Sequence, residues 1–111
     1  ANKLAVKEKK KEVEVIKREY QYQLQHLKME LTSLLEKYDL AKQNLNTKKR
    51  ILKRDKLEME LADKKFNQDI LTEEENKLKK LSFKESQIKL REARENILIC
   101  KLNILQFVGL Y

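Results

Sequence analysis

The chain of 111 residues contains no proline and no tryptophan, and it has only one glycine, Gly109. Tight turns and sharp helix ends usually rely on glycine or proline, so few positions allow this chain to reverse direction sharply. Three Phe and four Tyr supply little aromatic core for a chain of this size folding alone. These absences disfavour a compact globular domain.

Residue types that carry chemistry are also scarce, because Cys100 and His26 are the only cysteine and the only histidine. One chain therefore cannot assemble a zinc site or a Cys/His nucleophile pair without unusual help. No glycine-rich loop is present to hold a phosphate group. We expect no enzymatic activity, no cofactor and no metal, with His26 solvated and Cys100 acting as a small apolar residue.

Helix-forming and charged residues are abundant, with 41% apolar and 40% charged residues, as in coiled coils and other long helices. Large apolar residues recur every seven positions from Leu24 to Phe66, a spacing that places them on one stripe of a helix. We therefore predict an all-α protein, in which one or more long helices form an elongated coiled coil. The predicted helix-pairing seam consists of Leu24, Leu27, Leu31, Leu34, Tyr38, Leu45, Leu52, Met59 and Phe66.

The second core position of each heptad weakens along this seam, where Ala41, Lys48, Asp55 and Ala62 follow the leucines. Charged residues at such positions lower stability, and they tend to fix the register or to mark a change of partner helix. Before residue 23 the seam is weaker still, because Lys10 and Lys17 fall on it. Pairing is therefore expected to be loose in the basic N-terminal part.

Four segments follow from these patterns: a basic helical entry (1–22), a heptad segment (23–66), a frame shift or bend (67–82) and a second coiled-coil segment (83–111). The heptad frame resumes at Phe83 with an offset that fits a stammer or a bend. Thr72 to Glu75 has the form of a capping box, repeated at Ser82 to Glu85. A continuous helix and a hairpin both remain open here, and Asn44 to Thr47 is another candidate corner.

The segment 97–108 is apolar nearly all round and is too short for a membrane span. A helix of this kind needs cover on several sides, from a bundle or a larger partner. We therefore predict an apolar docking end, whose seam residues are Ile97, Cys100, Ile104 and Phe107.

Positive charge is concentrated in the first half of the chain, which accounts for most of the net charge of +8. Its densest part is the basic cluster Lys49, Arg50, Lys53 and Arg54, which lies on one outward helix face. Such a cluster suits nonspecific contact with an acidic polymer, for example a microtubule or a nucleic acid. A solvated helix face is the other interpretation, because charged coiled coils often carry such runs.

The favoured function is a non-enzymatic structural coiled coil that mediates oligomerisation or scaffolding in a larger, cytoskeletal-type assembly. Its partners are expected to be helices of its own copies or of other coiled-coil proteins, and a membrane ranks last. The alternative is a basic helical module that binds an acidic polymer. Cysteine usage predicts an intracellular setting, cytoplasmic or cytoskeletal, with the nucleus as an option. The start at Ala1, without Met, suggests a segment of a longer protein.

Overall fold

A computed structural model describes residues 2–110, which form two α-helices and no strand. Helix α1 spans Asn2–Asn67 and helix α2 spans Glu73–Phe107. The two helices run antiparallel, because Lys79 reaches Glu58 near the connection whereas Cys100 lies beside the backbone of Lys37 farther away. The protein is therefore an elongated helical hairpin, as the all-α prediction with a hairpin near 67–82 allowed.

The connection between the helices spans residues 68–72 and reverses the chain without glycine or proline. Asp69 adopts a positive φ of 58°, in the left-handed region that aspartate tolerates better than most residues. The amide of Ile70 donates to the carbonyl of Lys65 (2.8 Å), and the amide of Asp69 donates to Phe66 (3.0 Å). This is the bonding pattern of a Schellman motif, with Asp69 where glycine is usual.

Thr72 begins α2, because its side-chain oxygen accepts a hydrogen bond from the amide of Glu75 (3.2 Å). Three glutamates follow in the first turn, where the helix dipole favours negative charge. The similar sequence from Ser82 to Glu85 lies inside α2 and caps nothing. The alternative corner at residues 44–47 is likewise continuous helix within α1.

The C-terminal end of α2 also follows from the local sequence. Gly109 has a φ of 79°, and the amide of Leu110 donates to the carbonyl of Leu105 (2.9 Å). The amide of Gly109 donates to Gln106 (3.2 Å), which completes a second Schellman motif. The one glycine of the chain therefore lies where a helix must end with a left-handed residue.

The molecule is long and thin, with extents of 101 × 22 × 17 Å and a radius of gyration of 27.7 Å. A compact domain of this length would have a radius of gyration of about 13 Å. The interior is narrow, since no large side chain among residues 2–110 is fully buried. The most buried apolar residues are Ala41, Ala62, Leu90 and Ala93, and the small alanines let the two helices approach closely.

Helix α1 extends well beyond α2, because it has 66 residues and α2 has 35. Every described side chain from residue 2 to residue 30 is exposed, and partial burial begins at Leu31. We call residues 2–30 the N-terminal arm. At 1.5 Å per residue, roughly 40 Å of helix therefore projects from the hairpin, uncovered by any other described residue.

Candidate functional site

The predicted seam of α1 faces α2 over the length that α2 covers. From Leu31 to Phe66, every residue at a core heptad position is buried or half-buried. The face of α2 that packs against α1 follows the heptad frame predicted to resume at Phe83. It consists of Phe83, Ser86, Leu90, Ala93, Ile97, Cys100, Ile104 and Phe107, all buried or half-buried.

The same seam continues into the N-terminal arm, where nothing within the described residues covers it. Leu24 and Leu27 are 39% and 50% exposed, although their heptad positions are equivalent to those of Leu31 and Leu34. Val13 and Tyr20 extend the stripe toward the N-terminus and are exposed as well. The sequence predicted one seam from Leu24 onward, and helix α2 covers this seam only from Leu31 to Phe66.

A polar layer interrupts the apolar seam halfway along the hairpin. Asp55, at a core position of α1, is 7% exposed and accepts a hydrogen bond from the hydroxyl of Ser86 in α2. Its other carboxylate oxygen lies 3.2 Å from Nη2 of Arg54. Because each buried polar group is satisfied by the other, this layer favours one register of the two helices over its neighbours. Only the resumed heptad frame, which places Ser86 at a core position, could have indicated this partner.

The predicted docking end is divided between two environments. Ile97, Cys100, Ile104 and Phe107 face α1 within the hairpin, and Sγ of Cys100 lies 4.0 Å from the carbonyl oxygen of Lys37. The hairpin thus uses the seam of this segment itself. The remaining apolar side chains are exposed on the outer faces of α2, namely Leu98, Ile99, Leu102, Leu105 and Val108.

The basic cluster lies on the outer face of α1, and all four of its side chains are exposed. Arg54 is bound to acidic neighbours, Asp55 at 3.2 Å and Glu58 at 3.9 Å. No carboxylate in residues 2–110 lies within 4.0 Å of the other three cations, Lys49, Arg50 and Lys53. The cluster therefore offers three free positive charges rather than four.

Ion pairs join the two helices as well as residues within one helix. Lys79 approaches Glu58 across the interface (3.3 Å), and Lys80 approaches Asp63 (3.6 Å). Within α2, Glu73 forms an ion pair with Lys77, four residues later (3.2 Å). Hairpin closure brings acids of α1 beside lysines of α2, and this contact could not be seen from spacing within either helix.

Residues with potential chemistry are dispersed. His26 is exposed and its Nε2 lies 2.8 Å from Glu30 of the same helix. In the described part of the chain, no three His, Cys, Asp or Glu side chains come together to hold a metal ion. Over the same residues, neither helix combines the length and apolar character needed to cross a membrane.

Comparison with known proteins identifies no relative of this chain. The chain matches no protein-family model, and no curated protein or solved structure is significantly similar to it. Fold and surface are therefore the basis for a functional proposal.

Proposed function

We propose that this protein is a non-enzymatic structural element that mediates oligomerisation or scaffolding through helix pairing, within a larger assembly of cytoskeletal type. The observation that supports this function is the seam that continues into the N-terminal arm. Leu24 and Leu27 occupy core heptad positions but remain exposed, and burial of such leucines needs a further helix. The elongated shape suits a spacer that holds partners along its length.

Sedimentation at several concentrations tests this proposal, with the chain alone and mixed with a four-heptad peptide that carries leucine at both core positions. We expect self-association, peptide binding or both. The double substitution Leu24→Asp and Leu27→Asp should abolish the association, because it charges the uncovered seam outside the hairpin.

A matched control introduces the same two charges on the outer face through Gln25→Asp and Ser33→Asp, which should leave association intact. The mean residue ellipticity of both variants should stay close to that of the parent, since all four substituted side chains are exposed. A parent chain that neither self-associates nor binds a helical peptide, whatever the charge of that peptide, would contradict the proposed function.

A second candidate function, binding of an acidic polymer such as a microtubule or a nucleic acid, is favoured by the three free cations of the basic cluster. Contact of this kind releases counterions and weakens steeply with salt, whereas apolar helix pairing responds little. Reversal of Lys49, Arg50 and Lys53 to glutamate should abolish salt-sensitive binding to duplex DNA or microtubules. Arg54 is left in place because its guanidinium contacts the buried Asp55.

The control for this charge reversal is Lys84→Glu, Arg91→Glu and Arg94→Glu, three exposed positions spread along α2. Both triple variants have the same net charge, so a general electrostatic effect would weaken them equally. Equal binding by the parent and the cluster variant would show that the cluster is a solvated face.

A further inference from the structure

The N-terminal arm carries a groove whose lining residues indicate which kind of helix fits against it. It has a volume of about 390 Å³ and is lined by Val6, Lys9, Lys10, Val13, Glu14 and Lys17. Val6 and Val13 are one heptad apart at the same core position, and Lys10 lies between them. In a coiled coil, four residues at such positions form a hole into which a side chain of the paired helix inserts, and Val6, Lys9, Lys10 and Val13 have this spacing.

The rim of this groove is positively charged. Three lysines and one glutamate line it together with the two valines, and no carboxylate in residues 2–110 lies within 4.0 Å of Lys10 or Lys17. Lys10 and Lys17 occupy core heptad positions in the frame of Leu24 and Leu31. A helix that covers the valines must therefore place its own side chains directly against two ammonium groups.

A second copy of the chain is poorly suited to this role. The arm holds eight Lys and Arg against five Glu, so two arms brought together repel each other. A parallel pair would set Lys10 against Lys10 and Lys17 against Lys17 at the centre of the interface. Like charges at facing core positions oppose such pairing and thereby act against the wrong partner.

We propose that the N-terminal arm is the docking site for an acidic amphipathic helix of another protein. This helix places leucine or isoleucine against Val6, Val13 and Tyr20, and it places glutamate or aspartate against Lys10 and Lys17. The inference rests on the proposed helix-pairing function and specifies its partner. Charge complementarity selects the partner, whereas burial of the apolar stripe supplies the affinity.

Two synthetic four-heptad peptides test this assignment with the full chain. Both carry leucine at one of the two core positions of each heptad. At the other core position, the acidic peptide carries glutamate and the basic peptide carries lysine. Titration calorimetry should show that the parent binds the acidic peptide at least about ten-fold more tightly, as two exposed charge pairs at facing positions allow. A scrambled acidic peptide of the same composition should not bind.

The reciprocal variant is Lys10→Glu with Lys17→Glu, which should reverse the preference in favour of the basic peptide. Its matched control is Lys11→Glu with Arg18→Glu, which alters the adjacent outward positions by the same charge and should retain the acidic preference. Val13→Asp should weaken the binding of both peptides. A control pair that reverses the preference equally would assign the effect to net charge and overturn the proposal.

The remaining outcomes separate this inference from the proposed function. Equal binding of the acidic and basic peptides would overturn the acidic partner and leave helix pairing standing. Self-association that is lost in Val13→Asp, without a preference for the acidic peptide, would assign the arm to a second copy. Failure of the acidic, basic and all-leucine peptides, together with a monomeric chain, would overturn both proposals.

Discussion

At the scale of single residues, one buried side-chain polar atom among residues 2–110 has no hydrogen-bond partner. Asn76 occupies a core position in the first turn of α2 and is 4% exposed, and its Oδ1 accepts no hydrogen bond. A buried acceptor of this kind destabilises a fold by roughly 1–3 kcal/mol. Leu71 lies just before the capping Thr72, so residue 76 is also where a hydrophobic staple would place an apolar side chain.

We therefore expect Asn76→Leu to raise the free energy of unfolding by about 1 kcal/mol, since it removes the unsatisfied amide and adds an apolar contact. Denaturant unfolding followed by circular dichroism measures this change. Asn46→Leu on the exposed face of α1 is the control for helix propensity, with an expected gain of only a few tenths of a kcal/mol. A smaller gain at Asn76 than at Asn46 would contradict the interpretation.

At the scale of elements, the reversal depends on a left-handed residue that is not glycine. Asp69 has the only positive φ among the non-glycine residues described, and it closes the Schellman motif that ends α1. This conformation is strained for residues with a Cβ, although less for aspartate than for most. The hairpin therefore folds despite its turn residue, because pairing of the two seams favours reversal.

Replacement of Asp69 by glycine should raise the free energy of unfolding by several tenths to about 1 kcal/mol, because glycine adopts positive φ without steric strain. Valine at the same position should lower it, since a β-branched side chain is poorly tolerated there. Thermal and denaturant unfolding check both. Gln87→Gly inside α2 is the control and should lose about 1 kcal/mol. A loss on Asp69→Gly would show that the aspartate side chain itself stabilises the turn.

The sequence predicts the elements better than their partners. Heptad spacing indicated the face of α1 that is buried from Leu31 to Phe66, and the resumed frame at Phe83 indicated the matching face of α2. It did not indicate that these faces meet within one chain, because a three-residue stammer and a hairpin give the same offset. The turn at Asp69 carries no glycine or proline signal, and the Asp55 to Ser86 bond depends on a register that exists only after closure.

At the scale of the whole molecule, the hairpin covers only part of the apolar surface that the sequence provides. Exposed leucines and isoleucines lie along the outer side of α2, including Leu81, Ile88 and Leu102 at equivalent heptad positions. Together with the N-terminal arm, they leave a large apolar surface uncovered among residues 2–110. A further helix on either surface would bury apolar area that now faces water.

Small-angle scattering at low protein concentration should give a radius of gyration close to 27.7 Å for the monomer. The reason is geometric, because α1 alone spans about 100 Å at 1.5 Å per residue. A substitution that opens the hairpin, such as Leu90→Asp in the buried seam, should increase this radius and reduce helicity. A parent value near about 13 Å would contradict the extended structure.

The 101 Å length of the molecule also governs how its two extremities communicate. Electrostatic screening in physiological salt acts over about 8 Å, so a charge bound at the tip of the arm has no electrostatic effect on the turn around Asp69. Ligands at opposite extremities should therefore bind with independent affinities. The same length would hold two such ligands far apart, so a change at one extremity should leave the affinity at the other unchanged.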